Sequence, residues 1–175
     1  MKRKRLALVA LWFLTLPLVG ADVTAAGPAK IVTRLEDVPA AMEGAALLVF
    51  FSTGCVSCYD DLFEMRHLVD KNGWPVSVVG IAAGIREDLE DFLEKYAWPH
   101  PVVWDRKKTV FKRFGVRNAP HKVVVLNGDV VYRDDPYRDY TSRRAEIAKF
   151  LKGLFSRFST LLSTLPWLRQ LEHIK

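Results

Sequence analysis

The sequence predicts an α/β fold in which helices cover both faces of a mixed central sheet. Through the middle of the chain, short apolar runs rich in β-branched residues alternate with longer runs of helical periodicity. An Asn127-Gly128 pair separates two β-branched runs, and this is a strong hairpin signal that requires at least one antiparallel pair. With 175 residues, 50% of them hydrophobic, the chain can form one domain with a substantial core.

The first predicted strand and the first long helix meet at a pair of cysteines. Residues 47–51 form an unbroken apolar run, as expected for a strand buried on both faces, and residues 52–54 are the turn after it. A helical pattern begins at Cys55 and ends at Asn72-Gly73. Cys55 and Cys58 are the only two cysteines, so they can pair with each other, with another molecule or with a metal. The C-x-x-C spacing favours the first option.

The position of Cys55 at a helix N-terminus predicts that it is the nucleophile of thiol-disulfide exchange. Unpaired backbone N–H groups and the helix dipole favour a thiolate there, and in such settings the cysteine pKa falls from about 8.5 to between roughly 3.5 and 7.5. Cys58, one turn further on, would be the resolving thiol. Asp60 and Asp61 oppose a second negative charge nearby, so we expect only a modest depression of the Cys55 pKa. This favours a reductant or mild exchanger over a strong oxidant.

The remaining predicted elements alternate in type up to the hairpin. In order they are a strand at 76–81, a helix at Arg86–Tyr96, a strand at 101–104, a helix at 107–114, a strand at 122–126, a hairpin strand at 130–132 and a helix from about Thr141. This order predicts a sheet that is parallel in its first part and antiparallel at its end.

The N-terminal 21 residues have the pattern of an export signal. Four basic residues at 2–5 precede an apolar stretch at 6–19, and small residues follow at 20 and 21. Residues 1–21 are therefore predicted to be a signal peptide, with a short uncleaved membrane anchor as the alternative. No cysteine follows the stretch, so a lipoprotein anchor is excluded. The predicted domain spans residues 22–156 in a periplasmic or other extracytoplasmic compartment, where it could be anchored to the inner membrane.

Charge and periodicity set the C-terminal part of the chain apart. The basic residues at 2–5 contribute four of the formal +6 charges, which leaves about +2, too little to indicate nucleic-acid binding. Residues 157–175 continue a basic, amphipathic helical pattern beyond what the domain needs. Packing on the domain or on a second subunit is the favoured interpretation of this extension. Contact with a membrane surface is the alternative.

Two motifs together resemble the thioredoxin superfamily. They are the Cys55 to Cys58 motif at a strand-to-helix junction and Gly115-Val116 followed by Pro120 before a β-branched strand. Over residues 47–150 the chain is most similar to exported TlpA/ResA-like thiol-disulfide oxidoreductases. The resemblance implies a thioredoxin fold and a cis Ala119-Pro120 peptide that faces the dithiol and binds an extended substrate segment. It also places Asp61 where many relatives carry a glutamate that assists proton transfer, although Asp61 could equally be a helix-surface acid.

The chain departs from that family at several positions. Gly54 stands where the family usually has tryptophan, Val56-Ser57 lacks the common proline, and Val49 is not the buried carboxylate of cytosolic thioredoxins. His121, directly after Pro120, could assist proton transfer or complete a metal site. A structural or solvent-facing histidine is the favoured interpretation.

These observations predict an exported thiol-disulfide oxidoreductase that reduces disulfides in exported partner proteins through Cys55 and Cys58. The resemblance implies that a membrane electron donor regenerates the dithiol, and no pattern indicates a nucleotide or other cofactor. An oxidase or isomerase is the main alternative, because sequence does not determine the direction of electron flow. A Cu(I) metallochaperone using Cys55, Cys58 and His121, or a scaffold with a structural disulfide, are the further alternatives.

Overall fold

The structure, a computed structural model, describes residues 30–164 of the chain, with side chains up to residue 157. The described part contains one six-stranded sheet. Its strands are β1 (Ile31–Val32), β2 (Ala45–Ser52), β3 (Ser77–Ala83), β4 (Val102–Trp104), β5 (His121–Leu126) and β6 (Asp129–Arg133).

Five helices and one 3-10 turn accompany the sheet in the described residues. The 3-10 turn is Leu35–Asp37, and the helices are α1 (Pro39–Glu43), α2 (Val56–Asn72), α3 (Arg86–Tyr96), α4 (Thr109–Arg113) and α5 (Tyr140–Thr164). β1, the 3-10 turn and α1 were not predicted, although β4 and α4, which are similarly short, were.

The strand order is β1-β4-β3-β2-β5-β6, with β2 at the centre. β2 pairs in parallel with β3 and antiparallel with β5, and β5 pairs antiparallel with β6 through the Asn127-Gly128 turn. Six consecutive β2 residues, 46–51, are completely buried, as the unbroken apolar run predicts. The predicted mixed sheet and its hairpin are therefore confirmed.

The sheet separates two hydrophobic cores. We call the face covered by α2, α3 and α5 the dithiol face, and the face covered by the 3-10 turn, α1 and α4 the opposite face. Alternate β2 residues supply the two cores, with Val49 and Phe51 on the dithiol face and Leu48 and Phe50 on the opposite face. Helices on both faces are confirmed.

The last helix extends past the end of the predicted domain at residue 156. α5 begins at Tyr140, close to the predicted start at Thr141, and continues to Thr164. Among the described residues, no helix combines the length and hydrophobicity that crossing a bilayer requires. The predicted signal or anchor at 1–21 and the end of the C-terminal extension, residues 165–175, lie outside the described part of the chain.

Candidate active site

Cys55 and Cys58 form a disulfide at the junction of β2 and α2, with their Cα atoms 5.3 Å apart. Cys55 is the N-cap of α2 and is partly exposed, whereas Cys58 lies in the first turn and is completely buried. This arrangement confirms that the two cysteines pair with each other. It also leaves only Cys55 accessible to a partner, as expected for the attacking sulfur of an exchange reaction.

Backbone contacts hold the turn before the cysteines against the end of β3. Cys55 N–H donates to the Ser52 carbonyl at 3.0 Å, and Thr53 N–H donates to the Ala83 carbonyl at 3.1 Å. Gly84 has a φ of +131°, and a Cβ at that position would lie only 2.2 Å from Thr53 Oγ1. Only glycine permits this close approach. The cysteine turn is therefore fixed by its neighbour in the sheet as well as by its own residues.

The Ala119-Pro120 peptide is cis, as the resemblance implied. His121, the next residue, pairs with Phe50 in the antiparallel register between β5 and β2. Residues 119 and 120 therefore lie beside the end of β2 that leads into the cysteine turn. Both Cys55 and Ala119 pack against the core of the dithiol face. The predicted binding element and the disulfide thus meet at one end of the sheet.

Asp61 is buried, so its interpretation as a helix-surface acid is wrong. Its side chain has no exposed area, and both carboxylate oxygens accept hydrogen bonds from Lys122 Nζ, at 2.9 and 3.1 Å. Burial raises the pKa of Asp61, while the Lys122 ammonium acts in the opposite direction. Asp61 follows Cys58 by three residues and therefore lies beside it on the same face of α2.

A second buried carboxylate shares the same lysine. Lys122 Nζ lies 3.1 Å from Asp134, and Arg143 Nη1 lies 3.5 Å from the same carboxylate. Tyr132 donates its hydroxyl hydrogen to Asp134 at 3.3 Å. Burial also raises the pKa of Asp134, against the effect of Lys122. We call Asp61, Lys122, Asp134 and Arg143 the charge cluster.

Arg143 connects the charge cluster to the cis peptide. In addition to its contact with Asp134, Arg143 Nη1 donates to the Pro120 carbonyl at 3.1 Å. The cluster therefore extends from α2, which carries the disulfide, to the loop that precedes β5. Since only 12% of the Arg143 side chain is exposed, this connection is largely shielded from water.

His121 lies on the opposite face of the sheet from the disulfide. Its ring packs 6.4 Å from that of Phe50, and burial together with nearby cations lowers its pKa to about 4. The side chain is buried, so a solvent-facing histidine is wrong and the structural interpretation is supported. In the described residues, no group of three or more histidine, cysteine, aspartate or glutamate side chains is placed to hold a metal ion. The arrangement does not bring His121 to the two sulfurs.

Sequence reasoning missed Lys122, Asp134 and Arg143 as site residues. One signal was present, since Lys122 begins a predicted strand that is otherwise apolar and had to be buried, and a buried lysine requires a counter-charge. A second signal was the spacing of Asp61 with Cys58, Met65 and Val69, which places the acid on the apolar face of α2. The partners Asp134 and Arg143 carried no signal, because only the folded chain brings them to Lys122.

Comparisons with known proteins agree with this fold. Residues 22–135 match the AhpC/TSA family. No curated protein matches the chain.

Several solved structures resemble the fold. A protein described as thiol:disulfide interchange protein DsbE from Chlorobium tepidum is 20% identical, with a TM-score of 0.55, over 65% of this chain and 82% of that chain. A secreted Mycobacterium tuberculosis disulfide oxidoreductase, described as homologous to Escherichia coli DsbE, is 19% identical with a TM-score of 0.52, over 65% and 84%. The thioredoxin domain of a Bacteroides vulgatus thiol-disulfide oxidoreductase is 18% identical with a TM-score of 0.52, over 67% and 84%. These likenesses establish the thioredoxin fold.

Proposed function

The chain belongs to the AhpC/TSA family of the thioredoxin superfamily, and we propose that it is an exported reductase of protein disulfides. It is a thioredoxin-like thiol-disulfide oxidoreductase with one close cysteine pair. The observation that carries the proposal is the position of that pair, with Cys55 accessible at the start of α2 and Cys58 buried one turn behind it. A merely structural disulfide would not require an accessible sulfur at a helix N-terminus.

In the proposed reaction the reduced dithiol is the starting form. The Cys55 thiolate attacks one sulfur of a partner disulfide, so that a Cys55–partner disulfide forms and the other partner sulfur leaves as a thiolate. The Cys58 thiolate then attacks Cys55 Sγ, which forms the Cys55–Cys58 disulfide and releases the second partner sulfur. Two electrons pass from the dithiol to the partner, and the protein ends in the oxidised form that the structure contains.

The residues around the pair have separate parts in this reaction. The backbone of Ala119 beside Pro120 would pair with an extended segment of the partner, next to the accessible sulfur. Asp61 would accept the proton of the Cys58 thiol before Cys58 attacks. The burial of Asp61 supports this role as proton acceptor, because a carboxylate held away from water has a raised proton affinity.

The sequence pattern supports the proposed partners and compartment. The basic and apolar N-terminal residues support export, and exported proteins with disulfides would be the substrates. Regeneration of the dithiol outside the cytoplasm then requires a membrane protein that delivers electrons across the bilayer. The secreted Mycobacterium tuberculosis oxidoreductase, which has the same fold, is consistent with this location.

The equilibrium reduction potential of the Cys55–Cys58 pair tests the direction of the reaction. Residues 22–175 would be titrated with dithiothreitol, and the redox state would be read by thiol alkylation. A potential near that of thioredoxin, about −270 mV, is expected for a reductase. A potential near about −120 mV would make the protein an oxidase and contradict the proposal.

Two single-cysteine variants provide the matched control. Cys58→Ser should accumulate a stable mixed disulfide with a partner, because the resolving thiol is gone. Cys55→Ser should form none, because Cys58 is buried. Equal amounts of mixed disulfide in both variants would contradict the assignment of Cys55 as the nucleophile.

A further inference from the structure

The charge cluster contains as many positive as negative groups, and Lys122 occupies its centre. Lys122 Nζ lies 2.9 Å from Asp61 and 3.1 Å from Asp134, and none of the three side chains has exposed area. One ammonium is therefore shared by two carboxylates that belong to different parts of the chain. Asp61 belongs to α2, beside Cys58, whereas Asp134 follows β6.

Two hydrogen bonds that involve the main chain hold Lys122 and Asp134 together. Lys122 N–H donates to an Asp134 carboxylate oxygen at 3.2 Å, and Asp134 N–H donates to the Lys122 carbonyl at 2.9 Å. Lys122 also lies directly opposite Val49 in the centre of the sheet. The pairing of β5 with β2 places the Lys122 side chain on the dithiol face, where its ammonium contacts Asp61.

We propose that Lys122 is a positioning residue for the exchange reaction, one that keeps Asp61 ionised and ready to accept the Cys58 proton, while Asp134 limits the effect of Lys122 on Asp61. This inference rests on the proposed function of the cysteine pair and on the proton-accepting part of Asp61. It assigns opposite effects on the Asp61 carboxylate to Lys122, which contacts Asp61, and to Asp134, which contacts Lys122. A purely structural cluster would not distinguish the two residues in this way.

The other charged and titratable groups near Asp61 come from three elements. α5 contributes Arg143 and Tyr140, and Tyr140 donates to Glu64 of α2. Tyr132 of β6 donates to Asp134 rather than to Asp61. Lys122 and Arg143 lower the pKa of Asp61 and Asp134 raises it, in addition to the upward effect of burial. The two largest effects of nearby charges on Asp61 therefore come from Lys122, through its charge and its hydrogen bond.

Arg143 connects the charge cluster to the loop that contains the cis Ala119-Pro120 peptide. Arg143 contacts both Asp134 and the Pro120 carbonyl. Asp134, which competes with Asp61 for Lys122, is therefore held by a residue that also contacts the cis peptide. The protonation of Asp61 is thereby linked to the loop where a partner segment would bind. A free carboxylate on the helix surface would have no such link.

The test separates the two steps of exchange by their pH dependence. Reduced protein is mixed with a symmetric aromatic disulfide whose thiol absorbs visible light, and release of the thiol is followed by stopped flow from pH 4 to pH 9. The first release reports attack by Cys55 and the second reports attack by Cys58. In the wild-type protein we expect the second step to slow at acidic pH as Asp61 becomes protonated.

Lys122→Met should move this acidic limb of the second step to higher pH by about one unit or more, a tenfold change in proton affinity per unit. Asp134→Asn, which retains the shape of the side chain, should move it to lower pH. Lys122→Arg retains the positive charge, so its pH profile should stay close to that of the wild-type protein. The first step should change less than the second in each variant.

Asp61→Asn is the control that assigns the shifts. The acidic limb should be absent in this variant, and adding Asp134→Asn should then produce no further shift. Shifts in the same direction for Lys122→Met and Asp134→Asn, no shift in either, or shifts that persist without Asp61 would overturn the inference. If Lys122→Met does not fold, the pH profiles of Asp134→Asn alone and of Asp134→Asn combined with Asp61→Asn still test the inference. A wild-type protein that releases no second thiol would instead contradict the proposed function.

Discussion

Lys122 and His121 are neighbours in β5, but their side chains enter opposite faces of the sheet and are accommodated there by different means. Lys122 is completely buried on the dithiol face and contacts two carboxylates within 3.1 Å. His121 is buried on the opposite face beside Phe50, and its Nε2 has no hydrogen-bond partner. It remains neutral, with its pKa lowered to about 4.

The difference shows how the cost of burial is met on each face. A lysine loses its charge only at high pH, so burying it requires an opposite charge close by. A histidine titrates near neutral pH and avoids most of that cost by giving up its proton. The dithiol face therefore contains a network of charges next to the reactive sulfurs. On the opposite face a neutral histidine packs beside apolar side chains and needs no such network.

The largest expected effect is that of removing the charge of Lys122. Lys122→Met leaves Asp61 and Asp134 buried with only Arg143 as a cation, so we expect the free energy of unfolding to fall by about 3–5 kcal/mol. Equilibrium urea unfolding at pH 7 measures this loss.

The neighbouring variant His121→Leu is the matched control for that measurement. It should change the stability at pH 7 by less than about 1.5 kcal/mol, because a neutral ring is exchanged for an apolar side chain. Equal losses for the two variants would contradict the distinction between the faces.

An intermediate effect is expected from acid. The unfolded chain protonates His121 near its ordinary pKa of 6.5, whereas the folded protein does so only near 4. Between these values the unfolded state binds more protons, so this residue makes stability fall as the pH decreases, by about 3 kcal/mol at pH 4. Asp61 and Asp134 act in the opposite direction, because their pKa values are raised in the folded state.

Comparison of wild type with His121→Leu isolates the histidine contribution. The difference in unfolding free energy between the two proteins should shift in favour of His121→Leu as the pH is lowered from 7 to 4.5. A pH-independent difference would show that His121 has the same pKa in the folded and unfolded states, which would contradict its lowered pKa.

The smallest of these effects concerns a carboxylate on the opposite face. Asp105 is buried and accepts hydrogen bonds from Thr109 N–H at 2.7 Å, Thr109 Oγ1 at 2.9 Å and Phe111 N–H at 2.9 Å. Backbone amides at the start of α4, rather than a cation, satisfy this group. Asp105→Ala should lower the unfolding free energy by about 2 kcal/mol.

Asp105→Ala should leave the pH profile of dithiol exchange unchanged, because the sheet separates Asp105 and α4 from Cys58. Asp105→Asn, which retains one acceptor oxygen, should recover part of the lost stability. A changed exchange profile in either variant would show that the two faces are coupled.

Much of the fold could be predicted because its elements have strong local patterns. β2 is an unbroken apolar run, α3 was predicted with its observed bounds, and Asn127-Gly128 marked the hairpin. The cis Ala119-Pro120 peptide was expected only through the resemblance, since nothing local to those residues requires it. β1 and α1 escaped prediction because two and five residues give too little periodicity by themselves. β4 and α4, which are similarly short, were predicted from their place in the alternation of strands and helices.

The site residues also divide into those that a local pattern identifies and those that only the folded chain brings together. Cys55 and Cys58 were identified as a pair from their spacing and from the strand-to-helix junction. Asp61 was identified as a candidate, but its burial was not, since its partner Lys122 lies 61 residues away in the chain. Periodicity reports which face a residue occupies and does not report which distant residue packs on that face.

The sequence by itself determined the order of strands and helices from β2 onward and the place of the cysteine pair at a helix N-terminus. These features depend on residues within one or two turns of each other, so local patterns contain them. Only the tertiary structure decided that Lys122 stands between Asp61 and Asp134, and that His121 faces away from the sulfurs. The physical reason is that ionisation of a buried group depends on charges within a few ångströms, and the packing of the sheet and α5 selects which charges those are.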